Sequence, residues 1–458
     1  MCAARRGVAG LPASVAVIGG GWAGCAAAME LAQAGCKVTL YEAGRTLGGR
    51  ARAVESHGAI IDNGQHILLG AYSQSLRLMR IAGIDPDRTL LRLPLQMRYP
   101  PQAGGMDFVA PKLPAPLHVA MALLRARGLA RADKMALARF STSARWMDWT
   151  LYTDCSVSEL LQRFDQTERI IALMWRPLCL AALNTAPERA SAQVFLNVLR
   201  DSLGAARASS DMLVPRADLS SLFPSAAAAF IESSGGAVRA GAKVSTLAPH
   251  KQGWQLGAQG NAVGGTWTAY VDAVVIATPA PAAAILVDQL GLAELAASLL
   301  AFEYEPITTC YLHYPAALAV ALDSPFYALV DDAAKGEWAQ FVFDRGQLDP
   351  GQAGLLAVVI SASSQAAALA QPELAQAVAG QLARALGRPE LAQPDWVQVI
   401  TEKRATFACT PGLARPANAT GLARLALAGD YTASDYPATL EAAVRSGVLA
   451  AKAVLTPL

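Results

Sequence analysis

Near the start of the chain, a β-branched run, a glycine-rich turn and an alanine-rich run follow one another directly. Val15–Ile18 predicts a strand, and Cys25–Ala34 predicts a helix that Gly35 ends. Lys37–Tyr41 then predicts a second strand. A strand, a helix and a strand at this spacing form a parallel unit, whose ligand lies at the carboxyl ends of the strands. The chain is therefore expected to adopt an α/β fold with a parallel sheet.

The glycine-rich turn predicts dinucleotide binding. Gly19 permits the tight turn, Gly21 lets the backbone approach a pyrophosphate, and Gly24 brings the helix close to the strand. The diphosphate then lies at the helix N-terminus. Glu42 ends the second strand, where its carboxylate can accept hydrogen bonds from ribose hydroxyls and disfavours a 2′-phosphate. NAD and FAD share this pattern, so the turn alone leaves the choice between them open.

Two further segments favour FAD. A Gly-Gly-Arg turn that ends in Gly49 and Arg50 can pass close to a ribityl chain, while Arg50 reaches a phosphate or a flavin oxygen. Near the end of the chain, a predicted strand ends in Gly429 and Asp430, which suit the ribityl hydroxyls. The helix that follows is expected to begin near Ala438 and to contain Leu440, and it can direct its N-terminal dipole at the flavin.

Composition restricts the class of protein. The 458 residues are 53% hydrophobic and 16% charged, which suits a large apolar pocket or a membrane-facing surface. A net charge of +2 provides no general attraction for nucleic acid, so no nucleic-acid partner is expected. The seven cysteines form no C-x-x-C pair. We therefore expect a reducing cytoplasm, without a metal site or a disulfide framework.

The length favours two domains. Residues from about 76 to 210 show helical periodicity and little strand signal, whereas Val271–Pro279 predicts a buried strand that ends in a turn. We predict a Rossmann-type FAD-binding domain in three discontinuous segments, with an α+β substrate-binding domain inserted between them. The FAD-binding segments are 13–75, 212–288 and 404–458, and the substrate-binding segments are 76–211 and 289–403. Val244 is a further expected FAD contact.

The Gly-Gly-Arg turn and the Gly-Asp pair with its helix resemble the flavin monoamine oxidase and phytoene desaturase superfamily. Within it, four segments resemble the hydroxysqualene dehydroxylase family, namely Asp62–Gly70, Pro177–Thr185, Arg404–Phe407 and Gly429–Gly447. The resemblance spans nearly the whole chain. It implies an FAD-dependent enzyme of bacterial squalene and hopanoid biosynthesis. Such an enzyme removes the hydroxyl of hydroxysqualene, a C30 isoprenoid, and needs a flavin reductant that the sequence does not identify.

Two positions depart from the pattern of these relatives. Amine oxidases carry an arginine four residues after the ribose acid, where this chain has Thr46 preceded by Arg45. Arg176 stands where the hydroxysqualene dehydroxylases are expected to have an acidic residue. The resemblance therefore assigns no role to Arg45 or Arg176.

The implied reaction needs a proton donor beside the flavin and an apolar tunnel that excludes bulk water. Leu178–Leu183 and Phe302–Leu312 are apolar segments suited to the tunnel, although ordinary core explains them as well. His66 is the first candidate for the proton donor, and other candidates are Asp62, Tyr72 and Asp435. The residues between Asp62 and His66 are expected to face the flavin, namely Asn63, Gly64 and Gln65.

Pro114–Phe140 combines apolar and basic residues in a pattern typical of a helix at an anionic membrane surface. This predicts peripheral contact with the inner face of the plasma membrane. A solvated helix that packs on its own domain explains the same pattern.

Three other functions remain open at this level. A desaturase acting on phytoene or a related carotenoid precursor shares the fold and uses the flavin in the opposite direction. An amine oxidase needs an aromatic cage and a lysine near the flavin, for which the chain offers no clear candidates. A non-catalytic prenyl-lipid carrier shares the fold without using flavin, but the presence of Glu42 and Arg50 opposes it.

Overall fold

The computed structural model describes residues 11–258, 265–315, 318 and 320–456. A five-stranded parallel sheet draws its strands from three separate parts of the chain. With elements numbered in chain order, they are β1 (Ser14–Ile18), β2 (Lys37–Tyr41), β10 (Ala237–Arg239), β14 (Ala273–Ile276) and β20 (Leu425–Leu427). Their order across the sheet is β10-β2-β1-β14-β20, and every pairing is parallel. The predicted Rossmann-type α/β class is thereby confirmed.

Three helices of this region pack against the parallel sheet, namely α1 (Trp22–Gln33), α11 (Pro224–Ser233) and α15 (Leu440–Leu455). The other helices of the region are α2 (Ser73–Ile81), α3 (Pro86–Thr89) and α10 (Leu219–Leu222). α1 and α15 lie so close together that a side chain at Gly447 would overlap Ala23 O and lie 3.0 Å from Ala26 Cβ. Small residues at this contact therefore hold the last helix of the chain against the first.

The second large sheet is antiparallel. Its strands are β15 (Tyr304–His313), β16 (Phe326–Ala328), β17 (Phe341–Asp344), β18 (Leu355–Ile360) and β19 (Trp396–Phe407), in the order β16-β17-β18-β15-β19. One face packs against α14 (Gln371–Leu386). The opposite face carries Tyr311, Phe341 and Phe343, which belong to the main core of the molecule. Because side chains alternate along a strand, the two faces have separate cores.

Four smaller sheets complete the strands of the described part of the chain. They are β3 (Ala53–Ser56) with β4 (Ala59–Asp62), β5 (Leu68–Leu69) with β9 (Met212–Pro215) and β6 (Leu90–Leu93), β7 (Gln96–Arg98) with β8 (Asp107–Val109), and β11 (Thr246–His250) with β12 (Gly253–Ala258) and β13 (Trp267–Val271). Thus β6, β7 and β8 lie in a region where little strand was expected. They are too short for an alternating pattern to stand out in the sequence.

The remaining helices are α4 (Leu117–Arg125), α5 (Arg131–Trp146), α6 (Val157–Arg163), α7 (Glu168–Ile170), α8 (Arg176–Leu183), α9 (Ala192–Leu199), α12 (Ala280–Asp288) and α13 (Ala293–Leu300). π-Helical turns at Ile171–Trp175 and Arg200–Gly204 continue α7 and α9. Among the described residues, no helix combines the length and the apolar character that crossing a membrane requires.

The predicted domain boundaries stay a prediction. β19 continues through residue 404, where a boundary was expected. The pairing of β9 with both β5 and β6 also joins the stretches on either side of residue 76. The predicted segments include residues 259–264, 316, 317, 319, 457 and 458, which lie outside the described residues.

Candidate functional site

The glycine-rich turn has the geometry that a dinucleotide-binding turn requires. Gly19 has φ +112°, and a side chain there would lie 2.5 Å from Ala277 O. A side chain at Gly24 would overlap Gly19 O and lie 3.2 Å from Ala277 Cβ, so the start of α1 and the end of β1 are in direct contact. At Gly21, by contrast, the nearest atom to an added methyl is Gly49 Cα at 4.0 Å. The second glycine is therefore not required by packing within the protein.

Glu42 lies against this turn. Its Oε2 accepts a hydrogen bond from Gly20 N at 2.7 Å, and its Oε1 accepts one from Gly44 N at 2.6 Å. Its main-chain oxygen accepts from Ala242 N at 2.8 Å, which holds the segment leading to the buried Val244 beside the end of β2. The structure thus brings the predicted acid, the glycine-rich turn and Val244 to one edge of the sheet.

The Gly-Gly-Arg turn meets the end of the chain through Arg50. Arg50 Nη2 lies 2.7 Å from both carboxylate oxygens of Asp430, and Arg50 Nη1 donates to Ala405 O at 2.6 Å. Burial lowers the pKa of the Arg50 guanidinium, but the Asp430 carboxylate outweighs burial and the net shift is upward. The neighbouring Gly429 N donates to Ser446 Oγ at 2.9 Å, which connects this loop to α15.

At the N-terminus of α15, the backbone is held to α2. Thr439 caps the helix that begins at Leu440, with Oγ1 accepting from Ala442 N at 3.1 Å. The Glu441 carboxylate accepts from Gln74 N at 3.0 Å and from Ser75 N at 2.9 Å, so it also caps α2.

Two secondary candidates for the proton donor lie near this helix. Tyr72 lies beside Thr439 and Glu441, and burial followed by the Glu441 charge raises the pKa of its phenol. Asp435 is exposed, and its main-chain oxygen accepts from Asn197 Nδ2 at 3.0 Å.

Asp62 is buried and has a backbone partner. Its Oδ1 accepts from Leu219 N at 2.8 Å at the start of α10, and its main-chain oxygen accepts from Tyr311 OH at 2.9 Å. Burial raises the pKa of the carboxyl to about 6, against the lowering effects of the Leu219 N–H and the Arg345 charge. Because the pKa is raised on folding, the carboxyl favours the folded state below pH 4, and this contribution is lost as the pH rises to about 6.

His66 is oriented by its own segment. Its Nδ1 lies 2.7 Å from Gly64 O, and since a carbonyl oxygen only accepts, Nδ1 carries the proton. Burial lowers the pKa of the imidazole, and the Arg50 charge lowers it further. The neutral ring therefore presents Nε2 as an acceptor, and Nε2 has no hydrogen-bond partner within the described ranges.

Asn63 and Gln65 form hydrogen bonds that connect this segment to the Gly-Gly-Arg turn and to residues in or next to the antiparallel sheet. Asn63 Nδ2 donates to Arg50 O at 3.1 Å and to Glu402 Oε2 at 3.3 Å. Gln65 Oε1 accepts at 3.0 Å from Nη1 of Arg345, a guanidinium that is only 2% exposed. Sequence reasoning missed Arg345, because nothing in its local sequence distinguishes it from a surface arginine that follows a strand.

Three buried hydroxyls near these elements have no hydrogen-bond partner in the described part of the chain. They are Thr278 Oγ1, Thr309 Oγ1 and Tyr431 OH. Thr278 follows the residue that Gly19 contacts, Tyr431 follows Asp430, and Thr309 Oγ1 would lie 3.6 Å from a methyl added at Gly64. Because buried polar groups are nearly always paired, these three hydroxyls are available to a polar ligand.

Comparison with known proteins identifies the family. Residues 22–455 match the family described as flavin containing amine oxidoreductase. The chain belongs to this family. A hydroxysqualene dehydroxylase from Rhodopseudomonas palustris is 31% identical over 96% of this chain and 98% of its own. A hydroxysqualene dehydroxylase from Sinorhizobium fredii is 28% identical over 97% and 99%, and a zeta-carotene desaturase from Synechocystis is 25% identical over 96% and 97%.

Solved structures agree with the fold of the flavin-containing amine oxidoreductases. Cyclohexylamine oxidase from Brevibacterium oxydans matches with a TM-score of 0.64 and 18% identity, over 97% of this chain and 99% of its own. An oxidoreductase from Methanosarcina mazei matches with a TM-score of 0.66 and 15% identity, over 96% and 99%. At these identities the likeness concerns the fold alone.

Family membership confirms the predicted cofactor and class of enzyme. The chain is an FAD-dependent oxidoreductase, since its family contains flavin and its glycine-rich turn has the geometry of a dinucleotide-binding turn. The residues present fit this cofactor: the absence of a side chain at Gly24 permits the tight turn, Gly21 leaves open space beside it, and the buried hydroxyls of Thr278 and Tyr431 have no partner among the described residues. Arg176 plays no visible part, because it pairs with Asp331 at 3.2 Å.

Proposed function

We propose that this enzyme removes the hydroxyl of hydroxysqualene reductively and forms squalene. The observation that carries the proposal is the full-length similarity to the hydroxysqualene dehydroxylase of R. palustris, at 31% identity. Carotenoid desaturation is the second candidate, because the Synechocystis zeta-carotene desaturase is similar over the same length at 25%. The plant zeta-carotene desaturases match only 26% of the chain. The relatives therefore give carotenoid desaturation less support than they give dehydroxylation.

In this proposal, the residues predicted to contact FAD together form one binding site. The turn at Gly19, Gly21 and Gly24 would hold the pyrophosphate, and Glu42 with Val244 would flank the adenosine. The flavin half would be held by the remaining predicted contacts, Gly49, Arg50, Asn63, Gly64, Gln65, Gly429, Asp430 and Leu440. Bound FAD, once reduced by a donor that is not identified, supplies hydride.

The chain itself would orient the substrate, exclude water and move a proton. The apolar face of the antiparallel sheet, with Phe341 and Phe343, suits a hydrocarbon chain. We assign the proton donor role to His66, at Nε2, because Nδ1 is committed to Gly64 O. Protonating the allylic hydroxyl lets it leave as water. The low pKa of His66 makes its protonated form a strong acid, present in a small fraction of molecules at neutral pH.

Anaerobic single turnover tests the proposed function. Dithionite-reduced holoenzyme mixed with hydroxysqualene is expected to reoxidise its flavin and form an equal amount of squalene. Squalene serves as the control substrate and should leave the flavin reduced, because it has no hydroxyl to lose. Failure of flavin reoxidation and squalene formation, together with desaturation of phytoene by the oxidised enzyme, would replace this function with the second candidate.

We further propose that the enzyme works in the cytoplasm at the inner face of the plasma membrane. α4 and α5 are connected by Lys134 Nζ, which donates to Leu124 O at 2.8 Å. Next to this contact, Leu124 is 70% exposed and Met135 is 64% exposed, and Trp146 at the end of α5 is 88% exposed. The same two helices and the segment between them carry exposed basic residues, namely Arg125, Arg127, Arg131, Arg139 and Arg145. Exposed apolar residues among arginines suit an anionic lipid surface.

Reversing two of these charges tests the membrane proposal. Arg131→Glu with Arg139→Glu is expected to weaken binding to phosphatidylglycerol vesicles at least tenfold, because each basic residue near an anionic surface contributes about 1 kcal/mol. The matched control is Lys37→Glu with Lys452→Glu, which makes the same charge change at two exposed lysines outside α4 and α5. Binding that both double variants reduce equally, or that neither reduces, contradicts a specific membrane-facing surface.

A further inference from the structure

Thr309 stands out among the hydroxyls of the antiparallel sheet. It lies in the middle of β15, is 1% exposed, and its Oγ1 has no hydrogen-bond partner among the described residues. The adjacent Thr308 points to the opposite face, where its Oγ1 lies 2.9 Å from both Ser363 Oγ and Thr401 Oγ1. A buried hydroxyl without a partner is costly, and valine has nearly the same shape. The hydroxyl of Thr309 therefore has the character of a ligand-binding group.

The direct cross-strand neighbours of Thr309 are apolar. On the same face of the sheet, Thr309 pairs with Val359 of β18, and Val359 pairs with Phe341 of β17. Thr309 also pairs with Ile400 of β19 on its other side. Thr309 thus presents its hydroxyl between apolar cross-strand neighbours, an arrangement that suits a long hydrocarbon carrying one polar group.

Gly64 connects Thr309 to His66. A methyl added at Gly64 would lie 3.6 Å from Thr309 Oγ1 and 3.9 Å from His66 Cε1, so both side chains lie within van der Waals reach of the same point beside Gly64. Cε1 is bonded directly to Nε2, the ring nitrogen that remains free when Nδ1 lies 2.7 Å from Gly64 O. Two polar atoms without protein partners, one a hydroxyl and one an imidazole nitrogen, therefore flank Gly64.

We propose that Thr309 Oγ1 and His66 Nε2 form the subsite that binds the hydroxyl of the substrate, with Thr309 donating a hydrogen bond to the hydroxyl oxygen. The inference rests on the proposed function and names the residue that positions the leaving group. Thr309 is a positioning residue, which holds the oxygen at the nitrogen that moves the proton. Squalene lacks this oxygen and leaves Thr309 unpaired, so the product binds less tightly than the substrate.

Binding to the oxidised holoenzyme isolates this subsite from turnover, because the oxidised flavin carries no hydride. The change in the flavin absorbance spectrum gives dissociation constants for hydroxysqualene and for squalene in the same detergent. The unaltered enzyme is expected to prefer hydroxysqualene about tenfold. Thr309→Val should reduce this preference to near one, and Thr309→Ser should restore most of it.

Thr308→Val provides the matched control. It removes the neighbouring hydroxyl, which already has two protein partners, so it should lower thermal stability and leave the tenfold preference intact. A Thr309→Val enzyme that keeps the preference overturns the subsite, as does an unaltered enzyme that shows none. The proposed function fails separately, if reduced unaltered enzyme binds hydroxysqualene selectively and does not convert it.

Discussion

Gly24→Ala is expected to destabilise the folded protein by about 3 kcal/mol or more and to abolish FAD binding. The added methyl overlaps Gly19 O and lies 3.0 Å from Gly19 C, and both are backbone atoms that cannot turn aside as a side chain would. Relief requires α1 to move away from the end of β1. That movement displaces the helix N-terminus on which the pyrophosphate is expected to lie. Thermal unfolding and flavin content after purification measure the two effects.

Gly21→Ala separates cofactor contact from protein packing. Its methyl would meet no protein atom closer than Gly49 Cα at 4.0 Å, so the apoprotein should keep its stability. FAD affinity should nevertheless fall at least tenfold, because the backbone at Gly21 is expected to face the pyrophosphate. The control is Gly380→Ala, which also replaces a glycine by alanine but lies in the middle of α14. This variant should keep both its stability and its FAD affinity. For the first substitution, Gly24→Ala, the contradicting outcome is normal thermal stability together with normal flavin content. That result would contradict the close contact between α1 and the end of β1.

Arg50→Ala is expected to lower the free energy of unfolding by about 2 kcal/mol and FAD affinity at least tenfold. The substitution leaves the Asp430 carboxylate, which is 8% exposed, without the guanidinium that lies 2.7 Å from both of its oxygens. Removing one partner of a buried ion pair costs about 3–5 kcal/mol, and the smaller figure reflects the partial exposure of Arg50. Chemical denaturation of the apoprotein and titration with FAD measure the two quantities.

A double-mutant cycle with Asp430→Asn identifies the pair as the cause. If the two side chains act together, Arg50→Ala should cost much less in the Asp430→Asn background than in the unaltered protein. Arg404→Ala is the control, because Arg404 is an exposed arginine of the same region that lies over the Tyr304 ring at 5.9 Å. Additive effects of Arg50→Ala and Asp430→Asn would show that the two residues contribute independently.

The local elements of the cofactor domain could be predicted from the sequence because their signals are local. β1, β2 and the helix between them follow from hydrophobic periodicity and glycine placement within 30 residues. The predicted last helix begins two residues later than expected, at Leu440, because Thr439 serves as its N-cap. Short strands such as β6 and β8 gave no usable pattern, because three or four residues do not show an alternation.

The partners of the site residues could not be predicted in the same way. Asp62 was a candidate proton donor from its sequence position alone, but the structure directs its carboxyl to the backbone of Leu219. Arg345 was overlooked, although it is buried and contacts Gln65. Burial of a single polar side chain depends on which distant segments cover it, and no local pattern encodes that.

The sequence by itself determined the class of fold, the dinucleotide cofactor and the family, because each depends on residue types at short, regular spacings. Only the tertiary structure decided which groups meet. Arg50 and Asp430 are 380 residues apart in the chain, and they meet in a fold in which α15 packs on α1. Thr309 likewise faces Gly64 only because β15 places its side chain on that face of the sheet. Such contacts arise from the packing of whole elements, which is why their chemistry appears only in the folded molecule.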